Sequence, residues 1–280
     1  MIALEAFLVA PIEAVIAVAP QTVMIAITGT RRAAVLAGKP FQGDEYVRWS
    51  RERVFDFLDL LFRHGIQHIV ATTIVPVNLA EHAATRQRYL EAAVEGMAGA
   101  EARADYARIE CRARLIASPD LHSLHTVDAE LRQATAGRSS QTVWWHVIAG
   151  ADDPWRMVFA AAQQAQTSTR ADLLRALYGE DIPPATMFLG FGKPVIAPHS
   201  FPPLLVGDIQ CYWSQRPGFS MDERMLRRIL YDYAYVRPHG RRASAPEQQR
   251  AAGETDAVLG VGRRLGGFWY SAPFAALEIE

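Results

Sequence analysis

Short apolar runs alternate along this chain with longer stretches in which apolar residues recur every third or fourth position. The first run, Val23-Met24-Ile25-Ala26-Ile27-Thr28, stops at Gly29 and reads as a buried strand. A loop is expected from Ala33 to Gly43, with Gly38 and Pro40. The period then changes. From Asp44 to about His64, Phe55, Leu58, Leu61 and Phe62 share one helical face, and Gly65 is the stop. Ile66 to Ile74 reads as a second strand, and Asn78 as the cap of a helix running through Leu90 and Met97 to about Tyr106. Further strands are expected at Ala113 to Ala117, Thr142 to Ile148, Thr186 to Leu189 and Leu204 to Trp213. Helices separate or follow them: Pro119 to near Gly137, Asp152 to about Gln166, Thr169 to Tyr178 capped by Ser168, and Met221 to Val236 capped by Ser220. This order predicts an α/β fold, a mostly parallel central sheet flanked by helices.

The chain of 280 residues reads as a single domain, and half of its residues are apolar, enough for a sizeable core. Residues 238–256 are polar and read as a flexible loop, after which order returns over Val258 to Phe274. The net charge of −1, with both signs mixed, excludes the basic face of a nucleic-acid binder. Cys111 and Cys211 belong to no ligand spacing and read as ordinary buried thiols of a cytoplasmic chain. Met1 to Pro20 is apolar, but Glu5, Glu13 and Pro11 interrupt it and no basic segment precedes it. Two short amphipathic pieces are expected there, with no export signal and no transmembrane segment.

Chemistry concentrates where the first strand ends. Gly29-Thr30-Arg31-Arg32 places two arginines behind a glycine, and a guanidinium grips phosphate oxygens with a planar fork that lysine lacks. The amides of Gly29 and Thr30 are expected to assist. In parallel sheets ligands sit at the carboxyl ends of strands, and Gly190 to Lys193 marks another such end. His64 and His68, and His122 and His125, lack partners at zinc-ligand spacing and read as surface or capping residues. Gly260-Val261-Gly262-Arg263-Arg264 lacks dinucleotide-loop spacing. Trp144, Trp145 and Trp213 are candidates to line an apolar funnel, with core packing the commoner role for large aromatics.

Ile27-Thr28-Gly29-Thr30-Arg31-Arg32 resembles the first-strand motif of cis-prenyltransferases, Asp-Gly-Asn-Arg-Arg. It is closer to the Asp-Gly-Thr-Arg-Arg of the tuberculosinol synthase branch of that fold. Leu61 to Ile66, Glu95 to Ala98, Met187 to Gly192, Leu226 to Asp232 and Gly260 to Gly262 extend the resemblance in the same order across nearly the whole chain after residue 20. The Arg-x-Ser-Gly-Glu motif of chain-elongating members is absent, and Gly190-Phe191-Gly192-Lys193-Pro194 stands in its place. The resemblance implies a homodimer with a hydrophobic funnel. It implies an enzyme that ionises one isoprenoid diphosphate and quenches the cation with water, another nucleophile or proton loss. It also implies site roles for Tyr46 and Tyr89, beside diphosphate binding by Thr28, Gly29, Thr30, Arg31 and Arg32.

Thr28 is the departure, because the family carries a magnesium-linked aspartate there. Threonine cannot serve as a carboxylate base and is a poor metal ligand. Val75 to His82 offers one carboxylate, too few for a magnesium cluster. Three readings follow: Asp44, Glu45 or Asp208 substitutes as a metal ligand; arginines drive ionisation without magnesium; or the chain is a catalytically deficient subunit that binds isoprenoid or a partner. Chain elongation with a second diphosphate is disfavoured by the missing motif.

Overall fold

Strand β1 (Thr22–Ala26) runs inside a six-stranded sheet, and its neighbours explain why it is almost wholly apolar. The computed structural model describes residues 2–80, 82–192, 197, 201–214, 216–236, 262–265 and 268–271. Strands β2 (His68–Ile74), β3 (Arg112–Ala117), β4 (Thr142–Val147), β5 (Ala185–Phe191) and β6 (Val206–Ser214) complete the sheet in the order β3-β4-β2-β1-β5-β6. Every pairing is parallel, as crossover helices on both faces require. Val23 and Ile25 face one core layer and Met24 the other, the two-residue alternation of a strand buried on both sides.

Before β1 come α1 (Leu4–Leu8) and α2 (Ile12–Ile16), the two short amphipathic pieces expected, each burying one residue, Phe7 and Val15. The loop expected from Ala33 to Gly43 is corrected. Helix α3 (Thr30–Leu36) starts directly behind Gly29, and only the segment after Leu36 is loop. Helix α4 (Gly43–Arg63) buries Phe55, Leu58, Leu61 and Phe62. The long helix expected up to Tyr106 is three: α5 (Pro76–Leu79), α6 (Ala83–Ala98) and α7 (Ala100–Arg108). Gly99 is extended, with ψ 169°, and breaks the last two apart. Asn78 caps backwards: its Oδ1 accepts from the amide of Val75 at 3.0 Å.

The remaining helices are α8 (His125–Ala134), α9 (Asp153–Ala165), α10 (Arg170–Tyr178) and α11 (Glu223–Tyr231). Two caps lie one or two residues beyond the positions expected. Thr169, not Ser168, caps α10, and Asp222, not Ser220, caps α11, each side chain accepting the amide three residues on. Strands β7 (Gly262–Leu265) and β8 (Phe268–Ser271) pair antiparallel. The expected loop at 238–256, Lys193, Pro194, Gly260 and Val261 lie outside the described residues. Among the described residues no helix is long and apolar enough to cross a membrane.

The chain order reverses between β1 and β5, so the segments leaving their carboxyl ends diverge. That crevice holds Gly29 on one side and Gly192 on the other.

Candidate active site

The segment leaving β1 is joined to the last residue of β5 by a side chain. Thr28 Oγ1 donates to the carbonyl of Phe191 at 2.5 Å, and the amide of Gly192 donates to Ser214 O at 2.6 Å. Gly29 and Gly192 both have left-handed backbone, φ 75° and 84°. Over these two glycines lies the Arg32 guanidinium. A Cβ on Gly29 would stand 3.1 Å from Arg32 Nη2, and one on Gly192 3.6 Å from it. A side chain at Gly29 would crowd the cation, and one at Gly192 would touch it.

Arg31 turns the other way. Its Nη2 donates to the Tyr89 hydroxyl at 2.9 Å, and its guanidinium carbon is 5.8 Å from the centre of the Tyr89 ring. Thr30 Oγ1 and the Tyr46 hydroxyl share a hydrogen bond of 2.5 Å. Among the described residues neither Arg31 nor Arg32 is paired with a carboxylate, although Arg51, Arg103 and Arg108 are. The first turn of α3 therefore carries two exposed positive charges that no described carboxylate neutralises.

Beside it opens an apolar cavity of about 230 Å³. Helix periodicity builds its walls. Tyr46, Ser50 and Val54 repeat every fourth residue on α4, and Tyr89, Ala93 and Gly96 lie on one face of α6. Thr73 and Ile74 close it at the end of β2, and Trp145 forms its floor. Among the described residues no aspartate or glutamate lines it. Arg51 is the cation in the wall. Its Nε is 3.1 Å from Asp105 and its Nη1 contacts Glu101, so its charge is already compensated.

The relatives of the chain sharpen this picture. No family model matches the chain. The (+)-kolavelool synthase of Herpetosiphon aurantiacus is 36% identical over 273 residues, covering 95% of this chain and 94% of that protein. The chain belongs to the tuberculosinol-synthase-like branch of the cis-prenyltransferase fold. Within this branch, the tuberculosinyl adenosine transferase of Mycobacterium tuberculosis is 28% identical over 282 residues, covering 90% of this chain and 91% of that one. Solved structures share the fold at low identity. Lavandulyl diphosphate synthase from Lavandula x intermedia, in complex with dimethylallyl diphosphate, has a TM-score of 0.63 at 15% identity and covers 80% of this chain and 98% of its own. A probable undecaprenyl diphosphate synthase from Campylobacter jejuni has a TM-score of 0.56 at 12% identity, covering 80% and 97%.

The structure brings Thr28, Gly29, Thr30, Arg31, Arg32, Tyr46 and Tyr89 to one place, and leaves the candidate metal ligands outside it. Asp44 is exposed in the first turn of α4, about 200° round the helix from the cavity-facing Tyr46. Asp208 lies six residues before Ser214 on β6, about 20 Å of strand away from the crevice. Among the described residues no three His, Cys, Asp or Glu side chains converge. The Thr28 hydroxyl proton is committed to Phe191, so the family's magnesium position holds a neutral, hydrogen-bonded group. The described residues do not fit that ion.

Of the three tryptophans, only Trp145 reaches the cavity. Trp144, next along β4, points to the opposite face and packs on Tyr178, and Trp213 packs on Phe188 in the same layer. His64 is no surface residue. It is buried, with Nδ1 2.7 Å from Leu60 O, and burial lowers its pKa. Cys211 is exposed, contrary to expectation, while burial pushes the Cys111 thiol up to about 12. Sequence reasoning missed Ser50, which has helical spacing from Tyr46 as its signal, and the turn at Pro217, which has none because its approach to Gly29 is non-local.

Proposed function

We propose that this chain is a terpene synthase acting on one diterpenyl diphosphate. The observation that carries this reading is a pair of guanidiniums, Arg31 and Arg32, at the mouth of an apolar cavity, with no carboxylate on either guanidinium or in the cavity lining among the described residues. The tail enters the cavity, where each buried methylene contributes about 0.8 kcal/mol. Arg31 and Arg32 take the diphosphate oxygens and stabilise the charge that develops as the carbon–oxygen bond breaks. The bonding electrons leave with the diphosphate. Tyr89, already fixed by Arg31, and Tyr46, fixed by Thr30, present ring faces and hydroxyls to the allylic cation. Water, another nucleophile or loss of a proton ends the reaction. The names of the curated relatives, a kolavelool synthase and a tuberculosinyl transferase, support a diterpenyl rather than a shorter substrate.

The test is incubation with geranylgeranyl, farnesyl and bicyclic diterpenyl diphosphates, measuring diphosphate release and volatile products. The expected result is release from a diterpenyl substrate with an alcohol or alkene as product. No release from any of them sinks the proposal and leaves the deficient-subunit reading that Thr28 motivates. Longer prenyl diphosphates formed on addition of isopentenyl diphosphate would favour chain elongation instead.

We further propose a homodimer in the cytoplasm. The family resemblance supports the first, to be checked by sedimentation. Two thiols free of any disulfide, Cys111 and Cys211, support the second.

A further inference from the structure

We infer that the chain binds the diphosphate group without a divalent cation, using Arg216 as a third guanidinium where relatives of the motif carry a metal-linked aspartate. The inference deepens the proposed function and rests on that reading for the identity of the ligand.

Three observations point the same way. First, the residue before Gly29 is a threonine whose hydroxyl is used up as a strand clamp, donating to Phe191 O at 2.5 Å. A magnesium ion held against a diphosphate calls for anionic oxygen ligands from the protein, usually one or two carboxylates. Among the described residues no carboxylate lines the cavity, Asp44 faces away, and Asp208 sits far down β6.

Second, the cations here are not spent on the protein. An arginine pair in an ordinary surface network would show carboxylate partners, and Arg31 and Arg32 have none among the described residues. The Arg32 guanidinium lies against two glycines, where the other neighbours are Pro217 Cα and the Thr28 hydroxyl.

Third, a further arginine arrives from a distant part of the chain. The turn after β6 packs on the same loop: Pro217 Cα lies 3.7 Å from where a Cβ on Gly29 would stand. The residue before it is Arg216, which is exposed and has no ion-pair partner among the described residues. Its amide donates to Ser214 Oγ at 3.1 Å, which fixes the start of the turn at the end of the strand paired with β5. From there an arginine stem is long enough to reach over Gly29. Three guanidiniums around one diphosphate supply three positive charges without a metal. Forked hydrogen bonds replace coordination.

The experiment titrates inorganic diphosphate into the full chain by calorimetry, once in EDTA and once in magnesium. Wild type is expected to bind in EDTA, with affinity within about threefold of that in magnesium, since no carboxylate waits for the ion. Arg216→Gln is expected to weaken binding in EDTA by about tenfold or more, the loss of one charge-assisted contact. Thr28→Asp is expected to reverse the metal response: weaker in EDTA from charge repulsion, and tighter when magnesium is added. Circular dichroism of each variant checks that it is folded.

Binding by wild type only in magnesium overturns the inference, and so does failure to bind in either buffer. Arg216→Gln with unchanged affinity overturns the role of Arg216. A chain that binds diphosphate in EDTA yet releases none from any prenyl diphosphate overturns the terpene synthase reading and leaves this inference standing. The two failures are thus told apart.

Discussion

Arg31 and Arg32 are adjacent in sequence but do different things. Arg31 is tied to Tyr89 at 2.9 Å, so its removal takes away a charge and frees an aromatic wall residue together. Arg31→Ala is expected to lower kcat/KM for diphosphate release by about 10- to 100-fold, the range of one or two charge-assisted hydrogen bonds. Arg31→Lys keeps the charge but loses the fork, and should fall between wild type and alanine. Tyr89→Phe removes only the hydroxyl that holds Arg31, and a loss of about tenfold or less is expected. Equal kcat/KM for wild type and Arg31→Ala, measured in the same assay, would remove Arg31 from the site.

At the scale of elements, the site is the meeting of two strand ends with two helices. Gly192 ends β5 with φ 84°, where an L side chain costs about 1–2 kcal/mol. Gly192→Ala also sets a methyl group 3.6 Å from Arg32 Nη2. A fall in melting temperature of about 2–8 °C is expected, together with weaker diphosphate binding, because the strain and the cation share one place. The cavity floor depends on a buried chain of hydrogen bonds between elements. Trp145 Nε1 on β4 donates to the Tyr106 hydroxyl at 2.6 Å, and that hydroxyl donates to Met97 O at the end of α6 at 2.7 Å. Tyr106→Phe leaves both neighbours without a partner inside the core. A destabilisation of about 1–3 kcal/mol is expected by urea denaturation; an unchanged midpoint would show that the chain carries no weight.

For the whole molecule, the two core layers decide which groups water can reach. His64 and His68 both have pKa values lowered from 6.5, chiefly because burial disfavours the charged ring. In the unfolded chain they bind protons near pH 6.5, while in the fold they stay neutral to lower pH. The unfolded state therefore holds more protons below about pH 6.5, and stability falls as the solution is acidified. Melting temperature is expected to drop between pH 7 and pH 5, and His64→Gln to flatten that drop. Accessibility also separates the thiols. Cys211 is exposed and Cys111 is buried, so a thiol reagent should label one site in the native protein and two in urea.

The alternation of apolar runs with three-to-four periodicity was enough to place a parallel α/β sheet, because strands buried on both faces and amphipathic helices leave unmistakable local patterns. It also marked Gly29 to Arg32 as a cation-bearing strand end, since glycine and arginine pairs have local signatures. Helix starts were less legible. Ala33 to Leu36 was read as loop because the apolar face of α3 is short, and the break at Gly99 was missed because tertiary packing decides whether a glycine interrupts a helix. What only the tertiary structure decided is which distant residues meet the loop. A two-residue period puts Trp145 in the cavity and Trp144 on the far side. The order reversal beside β1 lets Thr28 clamp Phe191, and the turn after β6 brings Pro217 beside Gly29 from nearly two hundred residues away. Those encounters depend on strand order and register, and no local spacing in the chain encodes them.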